Sequence, residues 1–206
     1  VELKDCFVNC TTLDTITATP HRFNLEEAVF GYRNSIFKTA LKGKHVITAV
    51  QFRLTKKNHI LKTDYGVIQE ELGSKVSSPK NIAEAVIAIR QRKLPDPKKI
   101  GNSGSFFKNP VISKMQFLRL QKENPTIPNY PVSETEIKVP AGWLVEQSGF
   151  KGKRYGDAGV HEKQALVLVN YGKATGNEVF QLAEKIQKTV LEKFRIPLEI
   201  EVNVIA

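Results

Sequence analysis

Apolar residues recur along this chain with two periods, and each change of period marks an element. Over residues 6–19, β-branched positions are interrupted by turn-type polar breaks, the pattern of a strand or hairpin. Asn24 and Glu27 have the spacing of a helix cap and its partner, which predicts a short turn over 26–29. Val46, Thr48, Val50, Phe52 and Leu54 alternate with Ile47, Ala49, Gln51 and Arg53, so a strand with one more apolar face is expected. A polar connection over 56–64 leads to Tyr65-Gly66 and a short helical stretch ending at Leu72. Ser78-Pro79 opens a stronger helix, because proline fits a first turn. Ile82, Val86 and Ile89 form its apolar stripe, with Lys93 at the next position.

Pro95-Asp96-Pro97 ends that helix and reads as a domain boundary. Gly101-Asn102-Ser103-Gly104-Ser105 predicts a flexible turn. Ser113 and Gln116 have capping-box spacing and open a helix to about Lys122. A loop over 124–134, a short strand over 137–139 and a short helix over 141–147 follow. Leu166, Val167, Leu168 and Val169 form a continuous apolar run, a buried strand. Thr175 and Glu178 make another capping box, and Val179, Leu182, Ile186, Val190 and Phe194 mark one face of a long helix. Leu198, Ile200, Val202 and Val204 predict a final strand. The fold class is α+β.

Composition agrees with a soluble globular protein: 206 residues, 41% hydrophobic and 25% charged, enough for a sizeable core. No apolar run approaches a membrane span of about 18 residues, and no signal peptide is evident. The chain opens at Val1 and enters a strand-like stretch at once, as expected of a fragment. Cys6 and Cys10, with His21, His45, His59 and His161 scattered, complete no ligand set; no metal and a reducing, cytoplasmic setting are expected. The net charge of +10 attracts polyanions, but the basic residues form no run of five and no nucleic-acid motif accompanies them.

Four places offer chemistry. Glycines in 101–104 allow close backbone approach, and Ser105, Lys108 and Asn109 offer polar side chains; from residues alone a plain inter-domain turn is the commoner reading. Arg33 sits among aromatics in Phe30-Gly31-Tyr32-Arg33-Asn34, either as a fork for a carboxylate or phosphate or stacked on Tyr32 at the surface. Lys93 either snorkels to solvent or faces an anionic ligand. Glu201 lies on the polar face of the last strand, where a solvated carboxylate is the ordinary case.

In order along the chain these stretches form a series: the nine residues from Phe30 to Lys38, Lys93-Leu94-Pro95-Asp96-Pro97-Lys98, the ten residues from Gly101 to Pro110, Ala141-Gly142-Trp143-Leu144, Val160-His161 with Gln164-Ala165-Leu166, and Leu198 to Val202. The series resembles the UDP-N-acetylenolpyruvoylglucosamine reductase family from end to end. That resemblance implies FAD, reduced by NADPH, passing hydride to the enolpyruvyl double bond of a UDP-sugar in peptidoglycan synthesis. It implies Ser105 as proton donor, with Arg33 and Glu201 stabilising the enol; Glu201 would carry or share a proton to do so. Tyr65, Lys93 and Asn109 match substrate-binding positions, Arg90 is a candidate cofactor contact, and Lys151 is a further candidate for an anion. It implies that residues 1–94 are the remainder of a flavin-binding α+β subdomain and 95–195 a small α+β substrate-binding domain, with 196–206 a strand returning to the flavin region. The family's glycine-rich pyrophosphate loops would precede Val1, so the piece alone is expected to be inactive. A monomer acting on the UDP-sugar, with neither nucleic acid nor membrane as partner, is expected. The alternatives are a basic nucleic-acid-binding module and a UDP-sugar-binding fragment without catalysis.

Overall fold

A computed structural model describes residues 2–64 and 67–205. The chain divides into two compact units, Val1–Glu84 and Ala85–Ala206.

In the first unit the segment expected as a strand or hairpin over 6–19 supplies one strand and a turn, and its hairpin partner lies beyond those bounds. Strand β1 (Phe7–Asp14) pairs antiparallel with β2 (Pro20–Asn24) and, on its other side, with β3 (His45–Phe52), in the order β2-β1-β3. Asp14 closes the turn: its carboxylate accepts the N–H groups of Ile16 and Thr17, both at 2.8 Å. The Thr17 and Ile16 bonds hold that carboxyl below the usual carboxylate range. Phe7, Cys10 and Ala28 are buried, with Phe23, Phe30 and Phe37 packed against them. Phe7 meets Phe30 edge-on at 5.0 Å and Phe23 meets Phe37 at 5.2 Å, the favoured aromatic geometry. Cys6 and Cys10 are both free thiols, and burial pushes the Cys10 thiol up, partly offset by a backbone bond from Phe23.

Strand β3 differs from expectation in one respect. Its apolar residues are not buried on either face: Val46, Ile47, Val50 and Phe52 all remain exposed. It is an edge strand with one neighbour, so alternation in sequence has no layer to bury against. A short helix α1 (Ile68–Leu72) follows. Helix α2 (Pro79–Lys93) is capped by the Ser78 hydroxyl, which accepts the Asn81 N–H at 3.1 Å. The boundary between units falls after Glu84, inside this continuous helix, rather than at the prolines that end it.

The second unit holds two small antiparallel sheets. One consists of β4 (Gly101–Ser105), β8 (Arg154–Tyr155), β9 (Ala158–Val160) and β10 (Val167–Asn170), in the order β4-β10-β9-β8. The other consists of β5 (Val111–Ser113), β6 (Tyr130–Pro131) and β7 (Glu136–Lys138), in the order β5-β7-β6. Helices α3 (Lys114–Glu123), α4 (Ala141–Gln147) and α5 (Gly176–Phe194) complete it. The Ser113 hydroxyl accepts the Gln116 N–H as its spacing predicts, but the Gln116 side chain donates to the Arg195 carbonyl instead of closing the box. At α5 the box is complete: the Thr175 hydroxyl accepts the Glu178 N–H at 3.2 Å, and the Glu178 carboxylate accepts the Thr175 N–H at 2.7 Å.

Helix α5 buries Leu182, Ala183, Ile186, Val190 and Phe194. Each large apolar side chain on that face contributes about 1.5–3 kcal/mol of burial, which outweighs helix propensity in holding α5 in place. Leu144, Val145, Val160 and Leu168 share the same core. The chain end departs from the expected strand. Ile196 and Leu198 are buried in this core, and residues 196–206 group with the second unit. Their pairing reduces to one antiparallel bridge, Phe107 with Ile200.

Candidate functional site

Gly101–Ser105, expected as a flexible turn, is a strand. β10 supplies the partner: Val167 stands opposite Ser105, Val169 opposite Asn102 and Asn170 opposite Gly101. Glycine, asparagine and serine have little intrinsic preference for strands, so the ladder forms because a buried apolar strand offers its bonds. Gly104 takes φ +77°, a conformation that L side chains strain to adopt. Ser105 ends the strand and is exposed. Among the described residues its hydroxyl has no partner.

The segment after Ser105 is fixed from both sides. The Phe106 N–H donates to the Leu166 carbonyl at 2.8 Å, and the Phe106 carbonyl accepts the Glu201 N–H at 2.8 Å. The Lys108 N–H donates to the Glu199 carbonyl at 2.9 Å, and the Lys108 ammonium pairs with the Glu199 carboxylate. These contacts flank the Phe107–Ile200 bridge as an antiparallel pair should. Ser105 and Glu201, far apart in sequence, thus sit on adjoining backbone. Glu201 is half-buried. A cavity of about 580 Å³ opens nearby, with Asn102, Ser103, Phe106, Leu168, Phe180 and Val202 among its walls; Ser105 and Glu201 do not line it.

The other candidates fall elsewhere. Arg33 belongs to the first unit, in a tight turn where Gly31 and Asn34 exchange both backbone bonds, at 3.0 and 3.1 Å. It holds φ +54°, a left-handed conformation that costs a non-glycine residue of order 1 kcal/mol. A groove of about 490 Å³ lies at this turn, lined among others by Tyr32, Arg33, Ser35 and Lys38. Arg90 and Lys93 are exposed in the last turn of α2. Asn109 does local work: its side-chain oxygen accepts the Ala141 N–H at 2.9 Å and so caps α4. Lys151 pairs with Glu146 at 2.8 Å. Tyr65 lies outside the described residues.

Sequence reasoning missed two supporting residues. Asn102 bonds on both sides of the bend before Ser105, and an Asn-x-Gly sequence is the signal that could have found it. His161 is buried; its Nδ1 accepts the Lys163 N–H at 3.3 Å in the loop whose Leu166 carbonyl holds Phe106. Desolvation holds its imidazole below the ordinary histidine range, Glu162 opposing and Lys163 reinforcing. Among the described residues no three His, Cys, Asp or Glu side chains gather as a metal site, and no helix is long and apolar enough to cross a membrane.

This mixed fold is similar to part of a solved reductase. UDP-N-acetylenolpyruvylglucosamine reductase from Thermus caldophilus matches over 98% of this chain and 54% of that one, with a TM-score of 0.59 and 23% identity. The model of the family described as "UDP-N-acetylenolpyruvoylglucosamine reductase, C-terminal domain" matches residues 96–205, and the chain belongs to that family. Proteins named UDP-N-acetylenolpyruvoylglucosamine reductase are 56% identical in Flavobacterium johnsoniae, 48% in Chromobacterium violaceum and 47% in Amoebophilus asiaticus. The matches cover 99%, 98% and 100% of this chain and 61%, 60% and 61% of those proteins. The chain therefore spans about three-fifths of their length.

Proposed function

We propose that the full-length protein reduces UDP-N-acetylglucosamine enolpyruvate to UDP-N-acetylmuramate in peptidoglycan synthesis, using FAD that NADPH has reduced. Family membership supports the reaction class. The observation that supports the assignment to residues is local: the Glu201 N–H donates to the Phe106 carbonyl, which brings the backbone of two segments distant in sequence together next to Ser105.

When bound, the flavin supplies a hydride to the enolpyruvyl double bond. Ser105 then protonates the enol next to the substrate carboxylate; hydride and proton together turn the double bond into the saturated lactyl ether. A neutral hydroxyl suffices because that carbanion-like species is a far stronger base than water. Arg33 pairs its planar fork with the substrate carboxylate, where charge accumulates in the transition state. Glu201 is assigned to stabilise the same enol. Tyr65, Lys93 and Asn109 hold the UDP-sugar, with Lys151 a further anion contact.

The Ser105 hydroxyl is exposed at a strand end with no partner among the described residues, open to a bound group. Arg90 is the residue of this chain assigned to the anionic cofactor. The remaining flavin contacts are assigned to the part of the full-length protein that this chain does not span, so the piece alone would neither hold FAD nor turn over. Residues 1–94 are assigned to the flavin-binding region and 95–195 to the substrate, in a cytoplasmic monomer. The +10 charge suits a doubly charged diphosphate as well as it suits a nucleic acid.

In the full-length protein, Ser105→Ala should leave NADPH reduction of FAD intact and slow enolpyruvate reduction by about 10²-fold or more, the scale for losing a general acid. Single-turnover reduction of the sugar nucleotide at the unmutated rate would refute the role.

A further inference from the structure

We propose that Asn102 is a positioning residue for Ser105: its carboxamide clamps a bulge in β4 that sets the direction of the hydroxyl. The inference rests on the assignment of Ser105 as proton donor.

The bulge is visible in the register. From Val167 to Val169 strand β10 advances two residues, while its partners on β4 run three, from Ser105 to Asn102. One extra residue on β4 is therefore accommodated at Ser103-Gly104. Val167 and Val169, two apart, face the same side of their strand, and directly paired residues share a face. Their partners Ser105 and Asn102 consequently face the same way although three residues separate them. In an unbulged strand they would face opposite sides. Without the extra residue, the hydroxyl of Ser105 would turn to the other face of β4.

Two features hold this geometry. Gly104 supplies φ +77°, and a Cβ placed there would meet nothing within 4 Å, so the backbone and not space demands glycine. Asn102 spans the bend: its side-chain oxygen accepts the Gly104 N–H at 3.1 Å, and its NH₂ donates to the Ile100 carbonyl at 2.9 Å. The side chain is half-buried, so water replaces these bonds poorly. Neither bond touches Ser105 itself; Asn102 acts by fixing the two residues before it.

The test uses the full-length flavin-loaded protein and separates the two half-reactions. Asn102→Ala should slow enolpyruvate reduction by about 10-fold or more, the scale of a misplaced reacting group, with NADPH reduction of the flavin unchanged. Asn102→Asp keeps an acceptor for the Gly104 N–H but loses the donor to the Ile100 carbonyl, and should recover part of the rate. In a Ser105→Ala background, Asn102→Ala should change the rate by less than about 2-fold, because its effect passes through a hydroxyl already removed. Multiplicative losses in that background, or equal losses in both half-reactions, would overturn the proposal. A second measurement does not depend on activity: Asn102→Ala should speed hydrogen exchange at the Gly104 amide, and unchanged protection would also sink the clamp. If Ser105→Ala proves silent while Gly104 loses protection, the proton-donor assignment fails and the clamp stands as structure alone.

Discussion

Phe107→Ala should destabilise the second unit and release the segment that carries Glu201. Phe107 is 1% exposed, faces Ile200 across the bridge and meets the Phe106 ring at 5.3 Å. Removing a fully buried phenyl group loses its transfer free energy and leaves a cavity, together about 3–5 kcal/mol. Against a typical domain stability of about 5–15 kcal/mol, that is about a fifth of the total or more. The melting temperature should fall by roughly 10–20 °C, taking a few degrees for each kcal/mol at this size. The damage should also be directional. The backbone bonds on either side of the bridge, Lys108 to Glu199 and Glu201 to Phe106, depend on Phe107 and Ile200 staying in contact.

The sequence provides a clean probe, since Trp143 is its single tryptophan and packs 5.6 Å from Phe194 in this unit's core. Its fluorescence in a urea titration reports the second unit whatever the first unit does, and the shift in midpoint at unchanged slope gives the stability lost. Hydrogen exchange at the Glu201 and Lys108 amides reads the release directly. A loss below about 1 kcal/mol would show that the ring's burial is replaced by repacking. Full destabilisation with both amides still protected would refute the link from Phe107 to Glu201.

Thr175→Ala should cost about 1 kcal/mol in the same titration by removing the hydroxyl cap of α5; no shift would mean that Glu178 alone satisfies the helix start. Glu178 itself is held below the usual carboxylate range by its Thr175 bonds, so its contribution is present above the unfolded value and fades as pH falls through the lower folded one. His161 acts nearer neutrality: its imidazole is depressed in the folded state, the unfolded chain takes up the proton first, and stability should decline as pH drops below about 6.5. His161→Asn should flatten the urea midpoint between pH 7 and 5, and an unchanged slope would remove His161 as the cause.

Much of the fold was legible because it is encoded locally. The Thr175–Glu178 box and the stripe from Val179 to Phe194 predicted α5, and a residue type every three or four positions needs no distant partner to be read. Strand β1 and the turn after it were legible for a similar reason, while β2 lies beyond the segment that the pattern marked. What escaped is what long-range pairing creates. β4 looked like a turn because its glycines and asparagine have no strand pattern; Val167–Asn170, more than sixty residues on, supplies the ladder. Strands β5, β6, β8 and β9 have two or three residues each, too short for alternation to register. The exposed β3 shows the reverse case, a strong pattern whose covering layer the pattern cannot reveal. In the candidate site, the resemblance selected Ser105 and Glu201, but their adjacency through Phe106 depends on contacts that no local window contains.

Backbone irregularity and candidate chemistry coincide in this chain, and the coincidence needs weighing. Positive φ alone does not select a site, since Ala18, Val29, Asn58 and Arg195 share it with Arg33. Arg195 uses it to stop α5. Arg33 and the bulge at Ser103-Gly104 differ in what the irregularity achieves. At Arg33 the turn is already closed by two reciprocal backbone bonds that any residue could make, so the arginine is not required by the turn it strains. At β4 the bulge leaves the pairing with β10 intact on both sides and changes only the direction of the residue that follows. Local rules are broken where a sequence serves something other than folding. An arginine where glycine or asparagine would cost less, and a strand bent one residue before an exposed serine, are both explained if the two side chains, and not the backbone that presents them, are what the sequence maintains.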